Sequence, residues 1–160
     1  MSVLVWAANL LGWPLIHVSI GSVAVRLPHS LFERDNWLTE PRPWERNGNI
    51  YREALAIRKW KSKLPDGAPW VGGIAKKHLL SRAESALVEI VVETRRAEIA
   101  HWAMLCCAPI FFVWNPVWAG LIMLSYAIGA NIPCILAQRY NRIHVDRVLQ
   151  TRKRAALARV

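Results

Sequence analysis

Two long stretches of this 160-residue chain, 1–25 and 99–138, contain no Asp, Glu, Lys or Arg. Acidic residues are scarce throughout, 11 against 21 basic, for a formal net charge of +10. Cysteine is also sparse. Cys106, Cys107 and Cys134 have neither CxxC nor metal-like spacing and read as small apolar residues of the second charge-free stretch. The 8 glycines form no phosphate-cradling loop, and neither HExxH nor GxSxG occurs. His29 and Asp35 have five residues between them where the soluble-faced glycerolipid acyltransferase motif has four. These absences exclude nucleotide-loop chemistry, zinc-protease chemistry and the hydrolase elbow.

What is present is segregated. With 54% hydrophobic residues the chain is too apolar for disorder. Its charges lie in 26–98 (net +4) and 139–160 (net +6), which rules out an ordinary basic soluble domain. The basic blocks abut apolar runs and carry no nucleic-acid motif, so nucleic acid is not an expected partner. A membrane core ~30 Å thick takes about 20 apolar residues per helix. Ser2–Val25 meets that length, and Ile99–Gln138 meets it twice, divided by Asn115-Pro116, a tight turn by its proline. Trp114 and Trp118 flank the turn as interface indoles do. The fold class expected is an all-α integral membrane protein with about three transmembrane helices, one N-terminal and then a helical hairpin. As a single membrane domain it divides into span 1 at 2–26, a cytoplasmic segment with an amphipathic helix at 27–97, span 2 at 98–114, span 3 at 117–138 and a basic cytoplasmic tail at 139–160.

Basic residues at both ends of the hairpin, Arg95 and Arg96 before it and Arg139 and Arg142 after, predict a multi-pass protein of the cell membrane with its N-terminus outside and C-terminus cytoplasmic. Ser22-Val23-Ala24 has the small residues of a cleavage site. The missing basic n-region and the length of the apolar run instead favour a retained span. His17, alone in mid-span, reads as a packing residue.

The prolines of 26–48 predict irregular structure. Across Asn49–Leu64 the spacing of Ile50, Ala54, Ile57 and Lys61 predicts a helix, lying in the membrane interface or packed on the spans, that ends at Pro65-Asp66-Gly67. Ser81 and Glu84 form a capping box from which one helix runs into span 2, kinked at Pro109.

The densest polar cluster is Glu93-Thr-Arg95-Arg96-Ala-Glu98-Ile-Ala-His101-Trp102, at the mouth of the hairpin. Arg95, Glu98 and His101 are successive i,i+3 neighbours, and Glu93 and Arg96 form a second such pair. A carboxylate-oriented His is the usual base for making a hydroxyl nucleophilic, and nearby Arg suits a phosphate or an oxyanion. Glu–Arg pairs also simply close helical hairpins, and Asn131 and Gln138 equally suit interhelical hydrogen bonds. Spacing alone leaves both readings open, including a non-enzymatic lipid- or pigment-binding or assembly subunit.

The same cluster, with Tyr126-Ala-Ile-Gly-Ala-Asn131-Ile-Pro133, Gln138-Arg139-Tyr140-Asn141-Arg142, Ile57-Arg58-Lys59-Trp60-Lys61 and Asp66-Gly67, resembles the glycosyl-4,4'-diaponeurosporenoate acyltransferase family. Ile143 stands where the family pattern carries a proline after the last arginine. The resemblance implies transfer of a fatty acyl group from a thioester, such as an acyl-CoA-like donor, to a sugar hydroxyl of a glycosylated carotenoid or related membrane glycolipid. No cofactor or metal is implied. On that reading His101, oriented by Glu98 with Glu93 nearby, is the catalytic base. Arg95, Arg96, Arg139 and Arg142 would hold the donor's phosphates, Asn131, Gln138 and Asn141 would bind substrate, and Trp60, Lys61 and Asp66 would cap the site. A homo-oligomer would enlarge a site that is small for two amphipathic substrates.

Overall fold

The structure, a computed structural model, describes residues 2–64 and 84–158. Every regular element among the described residues is helical. They are α1 (Val3–Arg26), α2 (Asn49–Glu53), α3 (Glu84–Cys106) and α4 (Val117–Leu157), with short 3-10 turns between. Asp66, the Pro65–Gly67 turn and the capping-box Ser81 lie outside the described residues.

Three helices are long and apolar enough to cross a membrane. Their packing is that of a protein in lipid. Val3, Leu4, Leu10, Leu15, Val117 and Leu121 all point outward. Such a surface suits hydrocarbon and would drive aggregation in water. Inside, α3 and α4 form the most extensive helix pair and α1 lies against α3. At Pro109 the change is larger than the expected kink: α3 stops at Cys106, and the chain reaches the hairpin turn as a 3-10 helix, Ala108–Val113. Pro116 then sets the entry into α4.

The turn end is closed by amides. Asn9 of α1 donates to Asn115 Oδ1 (2.8 Å) and accepts from Asn115 Nδ2 (2.7 Å) and Trp114 Nε1 (3.0 Å). Below this latch Trp13 stacks on Phe111, ring centroids 4.9 Å apart. His17 bonds through Nδ1 to the Trp13 carbonyl, 2.8 Å, the packing role expected of it. Gly12 permits this approach, since a Cβ there would sit 2.9 Å from the buried Phe111 ring. Gly12→Leu is therefore expected to push α1 off the hairpin, at a cost of about 1–3 kcal/mol. A lowered thermal midpoint in detergent checks this; an unchanged one means that α1 is not seated by this contact.

The structure corrects one expectation and adds to another. First, Asn49–Leu64 is not one helix: α2 is five residues long, Ala56 turns the chain at φ 45°, and two 3-10 turns follow. The cause is packing. Tyr51 and Ile57 are both fully buried with Ala137 and Ile143 of α4. Six residues apart, they would lie about 120° apart around a regular helix and could not both face α4. The segment thus packs on the hairpin rather than floating as an amphipathic helix. Second, the basic tail from 139 is helical, a direct continuation of span 3. α4 continues unbroken for 41 residues, past Pro133, to Leu157. At the usual helical rise that is roughly 60 Å, twice a hydrocarbon core.

Candidate functional site

At the basic end of the hairpin, the polar faces of α3 and α4 meet around Glu98, which is completely buried. Its carboxylate lies 2.6 Å from Arg139 Nη1 and 2.6 Å from Arg142 Nη1, the first an aligned hydrogen bond and the second a close charge contact. Arg139 also forks onto Glu45, Nε to Oε1 at 2.9 Å and Nη2 to Oε2 at 3.1 Å. It further donates to the carbonyls of Leu38 (2.8 Å) and Glu40 (2.9 Å). Arg142 donates to the Thr39 carbonyl and lies 3.8 Å from Asp35. Arg95 holds Asp35 bidentately, at 2.8 and 3.1 Å, and donates to the carbonyls of Phe32 and Glu33. Three guanidiniums and three carboxylates, Asp35 alone of them exposed, thus make a charge-balanced floor that fastens residues 32–45 to the hairpin.

Glu45 is the hinge of that floor. Burial pushes its carboxyl up, yet hydrogen bonds from Arg139, Tyr51 and the Arg42 backbone N–H outweigh burial and hold it below its ordinary value. Tyr51 donates its hydroxyl to Glu45, and burial together with that carboxylate raises the phenol above its ordinary value.

Against the sequence expectations the geometry is selective. Glu93 and Arg96 pair as their spacing predicts. Arg95 turns to Asp35, Glu98 to Arg139 and Arg142, and His101 to Asn131. Arg95, Arg139 and Arg142 are not held open for a donor's phosphates. Once buried they need counter-charges, which 26–48 supplies in Asp35 and Glu45. Arg96 lies with its guanidinium 5.1 Å from the Phe32 ring. Trp60 donates to the Leu55 carbonyl (2.8 Å). Lys61 donates to Asn141 Oδ1 (2.6 Å) and sits 4.7 Å from the centroid of Tyr140. Gln138 is half-buried on α4.

His101 pairs instead with Asn131, across α3 and α4, Nδ1 to Oδ1 at 2.9 Å. Asn131 is fully buried and its Nδ2 donates to the Ala127 carbonyl, 2.9 Å. That bond turns Oδ1 toward His101, so Nδ1 carries the proton and the imidazole lone pair lies at Nε2. An Asn-fixed His tautomer is the arrangement a general base requires. Asp35, Glu45, Thr39 and Tyr51 were missed by sequence reasoning. The only signal for them was a surplus of arginines on a hairpin that must bury them.

Two further features lie nearby. His29, Glu89 and Glu93 bring ligand atoms within 4.8 Å of one another. His29 Nε2 bonds Glu89 at 3.0 Å and Glu93 pairs with Arg96, so the ligand atoms of the cluster are already engaged. An apolar groove of about 280 Å³ runs between α1 and α3, lined by Ile20, Val23, Leu27, Phe32, Ile99 and Ala103. It lies on the face of α3 opposite His101.

A family model described as glycosyl-4,4'-diaponeurosporenoate acyltransferase matches residues 28–151, which contain the whole floor and the His101–Asn131 pair. Proteins of that name from Staphylococcus aureus strains bovine RF122 / ET3-1 and USA300 are each 29% identical to the chain over 143 residues, 89% of this chain and 86% of theirs. No solved structure matches.

Proposed function

The chain belongs to the glycosyl-4,4'-diaponeurosporenoate acyltransferase family, an enzyme family, and from that premise we propose that it moves a fatty acyl group from a thioester onto a sugar hydroxyl of a glycosylated carotenoid, or a closely related glycolipid, held in the membrane. The observation that carries the proposal is the His101–Asn131 pair, set within the apolar hairpin just beyond a charge-neutral floor.

The steps follow from that pair. His101 Nε2 takes the proton of the sugar hydroxyl as its oxygen attacks the acyl carbonyl. A C–O bond forms, the C–S bond breaks, and the proton passes from Nε2 to the departing thiolate. Glu98, with Arg139 and Arg142, holds α3 and α4 in the register that keeps His101 against Asn131. The acceptor's apolar body lies among the helices with its sugar at the headgroup level. The basic hairpin ends favour the cytoplasmic side for that level, with the N-terminus outside.

Mass spectrometry of lipid extracts tests this, in a host that makes a glycosylated carotenoid, with and without the protein. A glycosylated species gaining a fatty-acyl mass only with the protein is expected. Identical extracts, with the protein present in the membrane, would overturn it.

A further inference from the structure

With Arg95, Arg139 and Arg142 engaged by carboxylates, a charged donor has to be met elsewhere, and the structure offers another place. Tyr140, His144 and Arg147 stand at i, i+4 and i+7 on the extension of α4, one stripe of the helix. Tyr140 and His144 are stacked, rings 10° from parallel with centroids 6.2 Å apart. Lys61 is drawn onto this stripe by two contacts, 2.6 Å to Asn141 Oδ1 and 4.7 Å to the Tyr140 ring. Arg147 is anchored through the Asn47 carbonyl. Lys61 and Arg147 thus flank one aromatic plate, and Arg58, three positions before Lys61 in the 3-10 turn Ile57–Lys59, adds its charge to the same side of His144. The acid of this stretch, Asp146, is turned the other way, within the fields of Arg95, Asp35 and Arg142.

We infer that Arg58, Lys61 and Arg147, with the Tyr140–His144 plate, form a phosphate-binding site. Guanidinium forks and an ammonium suit phosphate oxygens, and the stacked rings offer a flat face beside them. The site lies 9 to 16 positions beyond Asn131 on α4, roughly 14–24 Å by helical rise. A molecule with a phosphorylated end and an acyl end can therefore lie along α4, its phosphates in the polar layer and its carbonyl near His101. The inference rests on the acyl-transfer reading in naming that molecule as the donor thioester; a phospholipid headgroup presents the same chemistry.

The test uses the full chain in nanodiscs, with coenzyme A as one probe and phosphatidylglycerol in the bilayer as the other. In zwitterionic nanodiscs coenzyme A is expected to bind the wild type, more weakly as salt rises. The double variant Arg58→Gln/Arg147→Gln should bind it at least tenfold more weakly, and Arg58→Lys/Arg147→Lys should retain most of the affinity. Phosphatidylglycerol retained by the wild type and lost by the Gln pair, with no coenzyme A binding, would assign the site to headgroups. Wild type and the Gln pair binding each probe within twofold of each other would overturn it. His101→Gln is expected to bind coenzyme A like the wild type. If that variant loses transfer while the arginine pair changes neither probe, this inference alone fails. If it keeps transfer while the arginine pair weakens coenzyme A, the base assignment fails and the phosphate site stands.

Discussion

A Glu98→Gln variant is expected to lose about 3–5 kcal/mol of stability, much of the 5–15 kcal/mol typical of a folded domain, and to leave little folded protein in the membrane. Gln keeps the shape and removes the charge on which two guanidiniums converge at 2.6 Å. The two are not equally stranded. Arg139 retains its fork to Glu45, whereas Arg142, also fully buried, keeps a carbonyl and an Asp35 oxygen 3.8 Å away. Rescue should therefore be lopsided. Adding Arg142→Met to Glu98→Gln removes the unpaired cation and restores most of the stability, since a buried ion pair replaced by neutral groups is often close to neutral in effect. Adding Arg139→Met instead strands Glu45 and restores little. Thermal unfolding of detergent-purified variants measures all three. Glu98→Gln within about 1 kcal/mol of the wild type would show that the floor does not hold the hairpin.

The floor also shows where sequence reasoning reached and where it stopped. Membrane helices announce themselves by composition, so the two charge-free windows located all three long helices, and Pro109 and Asn115-Pro116 marked the break and the turn. Local ion pairing was legible as well, because Glu93 and Arg96 are three residues apart on one helix. Glu98 was picked out, but the two arginines that bury it were not assigned to it. Helix spacing proposes neighbours at i+3, while the side chains that bind it are 41 and 44 positions away on α4. Asp35 and Glu45 are 60 and 94 positions from the arginines they meet, in a segment whose prolines point to irregular backbone and to nothing more. The failed helix at 49–64 has a related cause. Its apolar spacing is genuinely helical, but burying both Tyr51 and Ile57 against α4 overrides it and bends the chain at Ala56. The extension of α4 past 138 was hidden by treating the membrane boundary as a helix boundary, although nothing in 139–157 breaks a helix.

His101→Gln is expected to fold like the wild type and to lose acyl transfer by about 10²–10⁴-fold, the usual contribution of a positioned general base. Glutamine can still hydrogen-bond to Asn131 but cannot accept the hydroxyl proton, which separates the base from a packing role. Asn131 acts through His101 and is a positioning residue. Asn131→Leu leaves the Nδ1–H facing an apolar side chain and frees the ring to change tautomer, so kcat falls while KM, set by contacts elsewhere, changes little. Asn131→Asp returns an oxygen acceptor to the same place and should recover much of the lost turnover, an outcome that a purely structural asparagine would not produce. Single-turnover assays in membranes, normalised to folded protein, read all three. Retained turnover in His101→Gln would remove His101 as the base. Equal losses in Asn131→Leu and Asn131→Asp, carried by KM, would mean that Asn131 binds substrate and does not fix the imidazole.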